Sequence, residues 1–135
     1  MSTSLIDRGA TAAEPALDSA VFGELVALAA TVDDRFLAGL IDQFMHETEP
    51  RLVELRHAYR RGDVQAVRRL AHGIRGSSAQ LGGARLAASC ARLEGIVTTT
   101  DLRGHAVLGE IEADHSELCA LLARRALGGL SSSAE

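Results

Sequence analysis

An all-α fold, an up-and-down four-helix bundle with a short additional N-terminal helix, is what this sequence predicts. Three observations carry the prediction. Hydrophobic residues make up 47% of the chain but aromatics only 3%, with no Trp, which favours an Ala- and Leu-rich packed-helix core over a β-sandwich. Only two prolines interrupt 135 residues, Pro15 and Pro50, so long stretches are open to helix. Apolar residues recur at helical spacing in successive segments joined by short connections. A chain of this length holds a single core and one domain.

Residues 1–16 are rich in Ala, Thr and Ser, lack a period and read as a flexible tail. The domain is expected over residues 17–127. Asp18 or Ser19 is placed to cap a first helix through Ala30, with Val21, Leu25 and Leu28 as its apolar stripe and a lid as its role. Thr31 or Asp33 is the expected cap of the second helix, and the acidic pair Asp33-Asp34 suits its positive end. In that helix Phe36, Leu40 and Phe44 recur every four residues, flanked by Leu37 and Ile41, and Leu52, Leu55 and Tyr59 continue the pattern. Pro50 lacks an amide donor, so a kink or restart is expected there.

Gly62 ends the second helix and Asp63 caps the third, which runs from Asp63 to Leu81 and stops at Gly82-Gly83. A fourth spans Ala84–Val97 with Leu86, Cys90, Leu93 and Val97 on one stripe. The last spans Leu102–Ala126, with Leu108, Ile111, His115, Leu118 and Leu122 at core spacing. Residues 128–135, opening with Gly128-Gly129, read as a frayed C-terminal tail.

The third helix breaks its own local rules. Gly73 and Gly76 lie inside it, and each interior glycine costs about 1 kcal/mol relative to alanine. Sequences violate local preference in this way at functional sites. At roughly 100° per residue, Val64, Val67, Leu70, Ala71, Ile74, Ser78 and Leu81 form the core face. His72 falls roughly 150° from the middle of that face, on an exposed side shared with Gln65, Arg68, Arg75, Gly76 and Ala79. Arg75 stands one turn ahead of the imidazole and Arg68 one turn behind.

The run Ala71-His72-Gly73-Ile74-Arg75-Gly76-Ser77-Ser78-Ala79-Gln80-Leu81-Gly82-Gly83 resembles the signature of histidine phosphotransfer (HPt) domains, usually Ala-His-x-Leu-Lys-Gly-Ser-Ser-x-x-Leu-Gly-Ala. Arg75 stands where that family usually has lysine, which keeps the charge but replaces a compact ammonium with a planar fork. Gly83 stands where alanine is common. The resemblance implies that His72 is the phosphorylated position, at Nε2 by analogy. It implies a carrier in a two-component phosphorelay that exchanges a phosphoryl group with receiver-domain aspartates of response regulators or hybrid kinases. It also implies that Mg²⁺ and the acceptor aspartate belong to the receiver, with no cofactor or metal in this chain and no kinase activity of its own.

Residue chemistry fits that expectation. A neutral imidazole keeps one lone pair for attack on phosphorus. Phosphoryl transfer needs in-line approach and charge on the equatorial oxygens to be met, a task suited to Arg75. Arg68 attracts phosphate or an acidic partner more loosely, and Gly76 keeps the helix surface low for a docking receiver. Gln65 and Ala79 complete the expected docking face.

Other readings are poorer. A net charge of −4 argues against general nucleic-acid binding, although Arg60-Arg61 and Arg68-Arg69 make one end locally basic and suited to an acidic receiver pocket. His46-Glu47 opens like a zinc-protease motif, but Pro50 stands where the second histidine is needed. His115 on an apolar stripe reads as a satisfied core residue, and Ser77 as a residue able to bond back to a backbone carbonyl. Cys90 and Cys119 read as reduced core thiols of a cytoplasmic protein, without a signal peptide or membrane span. A monomer is expected. The rival reading is a non-phosphorylated helical adaptor that binds or sequesters a receiver through the same face.

Overall fold

The structure, a computed structural model, describes residues 14–96 and 98–134, with side chains as far as Ala126. Among the described residues there are five α-helices and no strand: α1 (Ser19–Ala30), α2 (Phe36–Arg60), α3 (Val64–Gln80), α4 (Ala84–Glu94) and α5 (Leu102–Ala134). α3 packs between α2 and α4, and α5 closes the ring against α4 and α2. These four form the bundle, and α1 packs on α2. The core is aliphatic: Leu55, Ile74, Leu86, Leu93, Ile111, Leu118 and Leu122 are fully buried. Burial of each such side chain contributes about 1.5–3 kcal/mol.

Two tight turns set the antiparallel order. After α2, Gly62 adopts φ +79°, and the Asp63 carboxylate accepts the Ala66 amide at 3.0 Å. After α3, Gly82 adopts φ +88°. Its neighbour Gly83 is needed for space, since a Cβ there would lie 2.5 Å from Leu118 Cδ2. The chain before α1 is tied to this second turn. Asp18 caps α1 by accepting the Ala20 and Val21 amides, and its own amide donates to Gly82 O at 2.6 Å. The carbonyls of Glu14 and Pro15 accept from Arg85 at the start of α4. Residues 14 and 15, expected in the tail, are therefore held by the domain, while residues 1–13 lie outside the described residues.

Several boundaries differ from expectation. The buried face of α1 is Phe22 and Ala29 with Leu25 at its edge, whereas Val21 and Leu28 are 39% and 58% exposed. The aromatic ring sets the face, because Phe22 offers far more area for burial than Val21. Thr31 and Asp33 do not cap α2. Thr31 closes α1, and Asp33 folds a turn by accepting the Arg35 amide at 2.7 Å, so α2 begins at Phe36. It then runs unbroken through Pro50. The proline deletes one helical hydrogen bond, and burial of Phe44, Thr48 and Leu55 on either side keeps the helix in register. α4 stops at Glu94 with Gly95 as its cap, three residues short of Val97, which lies outside the described residues. α5 continues past Ala126 to Ala134, since no proline follows to stop it and each glycine costs only about 1 kcal/mol.

The bundle centre holds one polar chain. The Thr48 hydroxyl donates to Phe44 O at 2.8 Å, which leaves its oxygen to accept from His115 Nε2, also at 2.8 Å. His115 is therefore satisfied as a neutral ring, and burial lowers its pKa from the ordinary 6.5 while nearby Glu49 opposes. A folded state that prefers the neutral ring binds fewer protons than the unfolded chain once pH drops below about 6.5. Stability should be fully present above that pH and decline as pH falls through it. Exposed His46, whose pKa is raised by the Asp42 backbone carbonyl and carboxylate, acts in the opposite direction. Urea titrations between pH 5 and 8, as a bracket of about that width, should give a slope that His115→Gln removes without disturbing the His46 contribution.

Candidate functional site

α3 carries the site on the outside of the bundle. Ala66, Val67, Ala71, Ile74 and Ser78 turn inward. His72, Gln65, Arg68, Gly76 and Ala79 are exposed on the opposite side, as their spacing requires. The His72 side chain is 69% exposed. A Cβ at Gly76 would meet nothing within 4 Å, so the bare backbone there faces only what approaches from outside. Ser78, rather than Ser77, bonds back to the helix, donating to Ile74 O at 2.6 Å.

Two charged groups converge at the imidazole. Its Nδ1 lies 3.0 Å from Glu94 Oε1 and 3.1 Å from Arg75 Nη2. Arg75 Nε lies 2.5 Å from Glu94 Oε2, and these two atoms, shielded from solvent, face each other. Arg75 is thus occupied by Glu94 on the Nδ1 side of the ring, not poised over Nε2. The two neighbours of Nδ1 ask for opposite things: the carboxylate needs a proton on Nδ1, the guanidinium a lone pair. Only the first leaves a neutral ring with Nε2 free to attack.

Glu94 is the functional candidate that the sequence reading missed. Its signal was positional. α3 and α4 form an antiparallel hairpin, so residues at nearly equal distances from the turn meet: His72 stands ten before Gly82 and Glu94 eleven after Gly83. Arg68 obeys the same register, its Nε donating to Ile96 O at 2.9 Å just past the end of α4. That anchors Arg68 to the backbone and draws it away from a free role in phosphate capture. On the other flank of α3, the guanidinium of Arg51 from α2 lies against Gly73, with Nη1 donating to Ser77 Oγ at 3.5 Å.

Elsewhere the chemistry is sparse. Among the described residues no three His, Cys, Asp or Glu side chains gather closely enough to hold a metal ion. No described helix is long and apolar enough to cross a membrane. Cys90 is buried and free, and burial pushes its thiol up to about 12, which makes it inert.

A helical bundle displaying one histidine amid arginine and glycine on an exposed helix face defines a phosphotransfer module. Residues 39–126 match the Hpt domain, and the chain belongs to that family. Among solved structures it is similar to histidine-containing phosphotransfer protein B (HptB) from Pseudomonas aeruginosa PAO1, at 30% identity, covering 84% of this chain and 96% of that one with a TM-score of 0.67. The fold is shared with the histidine-containing phosphotransfer protein MtHPt2 from Medicago truncatula, at 21% identity, covering 96% and 90% with a TM-score of 0.73. It is shared also with the Saccharomyces cerevisiae histidine phosphotransfer signaling protein Ypd1, solved with the receiver domain of its downstream response regulator Ssk1. That match has 20% identity, covers 88% and 96%, and has a TM-score of 0.62. No curated protein matches the chain.

Proposed function

We propose that this chain is a phosphocarrier in which His72 Nε2 accepts a phosphoryl group from a receiver-domain aspartyl phosphate and returns it to another receiver. The observation that carries the reading is the imidazole itself: exposed, held at Nδ1 by Glu94, and open at Nε2. In the transfer, the aspartyl oxygen–phosphorus bond breaks as the Nε2–phosphorus bond forms, and the carboxylate leaves with the bonding pair. Mg²⁺ and the aspartate belong to the receiver.

Each neighbour has a role. Glu94 is a positioning residue that holds the proton on Nδ1 and aims Nε2 outward. Arg75 balances the Glu94 charge, which would otherwise repel the incoming phosphoryl group. Gly76, Ala79, Gln65 and Arg68 form the receiver-docking face. The free thiols Cys90 and Cys119 suit a reducing, cytoplasmic setting.

The test is incubation with a phosphorylated receiver from the same organism, followed by acid and base treatment of this protein. A base-stable, acid-labile label supports the carrier. Tight receiver binding with no label from any receiver would favour the adaptor instead. Glu94→Ala should slow acceptance about tenfold, a loss of roughly 1.4 kcal/mol of transition-state stabilisation, because Arg75 then donates to Nδ1 and moves the proton to Nε2. Nitrogen NMR of the ring should report the tautomer change directly, and an unchanged tautomer with an unchanged rate would remove Glu94 from the mechanism.

A further inference from the structure

The hairpin register leaves a question about charge. Glu94 belongs to α4, so Nδ1 is drawn to the α4 flank of α3. The two ring nitrogens lie on opposite sides of the carbon between them, so Nε2 is directed away from α4. Arg75 is committed to the α4 flank, bound to Glu94. A phosphoryl group on Nε2 therefore has its oxygens on the side where Arg75 is not.

On that other flank stands Arg51. Its guanidinium lies against the residue next to His72: a Cβ on Gly73 would be 3.6 Å from Nη1, 3.8 Å from Cζ and 4.0 Å from Nε. Three atoms at nearly equal distance mean that the fork lies flat across the glycine. Of its five donors, one makes a 3.5 Å contact to Ser77 Oγ, and among the described residues no carboxylate pairs with it. Arg51 is half-buried and its charge is not matched by a carboxylate among the described residues, so its fork can turn to an incoming anion without breaking an ion pair. A methyl group at Gly73 would fit beneath the fork at ordinary contact distance, so the arginine covers this part of α3 without needing a glycine there.

We propose that Arg51 is a phosphoryl-binding residue, closing from α2 onto the oxygens of the phosphorylated His72 while Arg75 stays with Glu94. The inference rests on the carrier reading given above. It makes the acceptor site a two-helix construction: α3 and α4 prepare the nucleophile, and α2 holds the product. Arg51 leaves Ser77 and makes charge-assisted bonds to one or two of the three oxygens.

Phosphoramidate is the probe, because it needs no receiver. Its phosphorus–nitrogen bond breaks as the phosphorus–Nε2 bond forms, and the ammonio nitrogen takes the bonding pair and leaves as ammonia while Nδ1 keeps its proton. Phosphorus NMR then follows the pH titration of the phosphoryl oxygens in the parent protein and in Arg51→Gln, Arg51→Lys and Arg75→Gln. Arg51→Gln should raise the titration midpoint by about one pH unit, as expected for loss of an adjacent cation, and Arg51→Lys should retain most of the parent value. The Arg51 Nε–H signal should shift on phosphorylation of the parent and stay fixed in His72→Gln.

An Arg51→Gln midpoint equal to the parent, with an unmoved Arg51 signal, overturns the assignment. A rise confined to Arg75→Gln returns the role to Arg75. Absence of any His72 label is a different failure, since it refutes the carrier reading and with it this inference.

Discussion

His72→Gln should take up no phosphoryl group from any receiver while folding as stably as the parent. Glutamine keeps a polar side chain of similar reach on an exposed helix position, and substitutions at such positions typically change stability by within about 0.5 kcal/mol. The chemistry is lost completely, because an amide nitrogen has no lone pair available for attack on phosphorus. Receiver affinity should survive, since the docking face of Gln65, Arg68, Gly76 and Ala79 is untouched. The pair of measurements, label and affinity, separates the two readings of this protein. A variant that loses label but binds a receiver identifies a carrier. A variant that still drives the pathway in cells identifies an adaptor and ends the phosphotransfer argument.

Leu118→Ala should give the largest loss of stability, about 2–5 kcal/mol by urea denaturation with an unchanged slope. Leu118 is fully buried, and its Cδ2 occupies the space that a Cβ on Gly83 would need. Gly83→Ala alone should cost about 1–3 kcal/mol by overpacking, because the methyl would also stand 3.2 Å from Ser78 O. The double variant should be more stable than the sum of the two losses implies, by about 0.5–3 kcal/mol, since the new methyl enters the space that Leu118 vacates. Strict additivity would mean that the α3–α4 turn and α5 are not in contact at this point.

Much of this was legible in the residues. The interior glycines, the core face of α3 and the exposure of His72 all follow from 100° spacing, and the turn glycines Gly62 and Gly82 are where the chain needs positive φ. His115 was readable as a satisfied core residue, though its partner Thr48 was not, because the bond joins two helices 67 residues apart. α1 misled for a physical reason: Val21, Leu25 and Leu28 do form a stripe, but one aromatic ring outweighs it, which turns Val21 and Leu28 toward solvent and leaves Leu25 at the edge of the core. Glu94 and Arg51 escaped because helical periodicity describes one helix at a time. Their meaning lies in how α4 and α2 are set against α3, which periodicity does not encode.

The hairpin formed by α3 and α4 turns residue count into a specification. A residue inserted in α3 between His72 and Gly82, or in α4 between Gly83 and Glu94, rotates everything beyond it by roughly 100° and shifts it by roughly 1.5 Å. Histidine and carboxylate would then lie on different faces, although every residue of the site were still present. An insertion between Gly95 and Asp101 falls after Glu94 and leaves that pairing untouched. Relatives that keep the spacing from this histidine to an acidic residue across the double-glycine turn should share its ring orientation. Those that lose or gain one position there must orient the imidazole by another device.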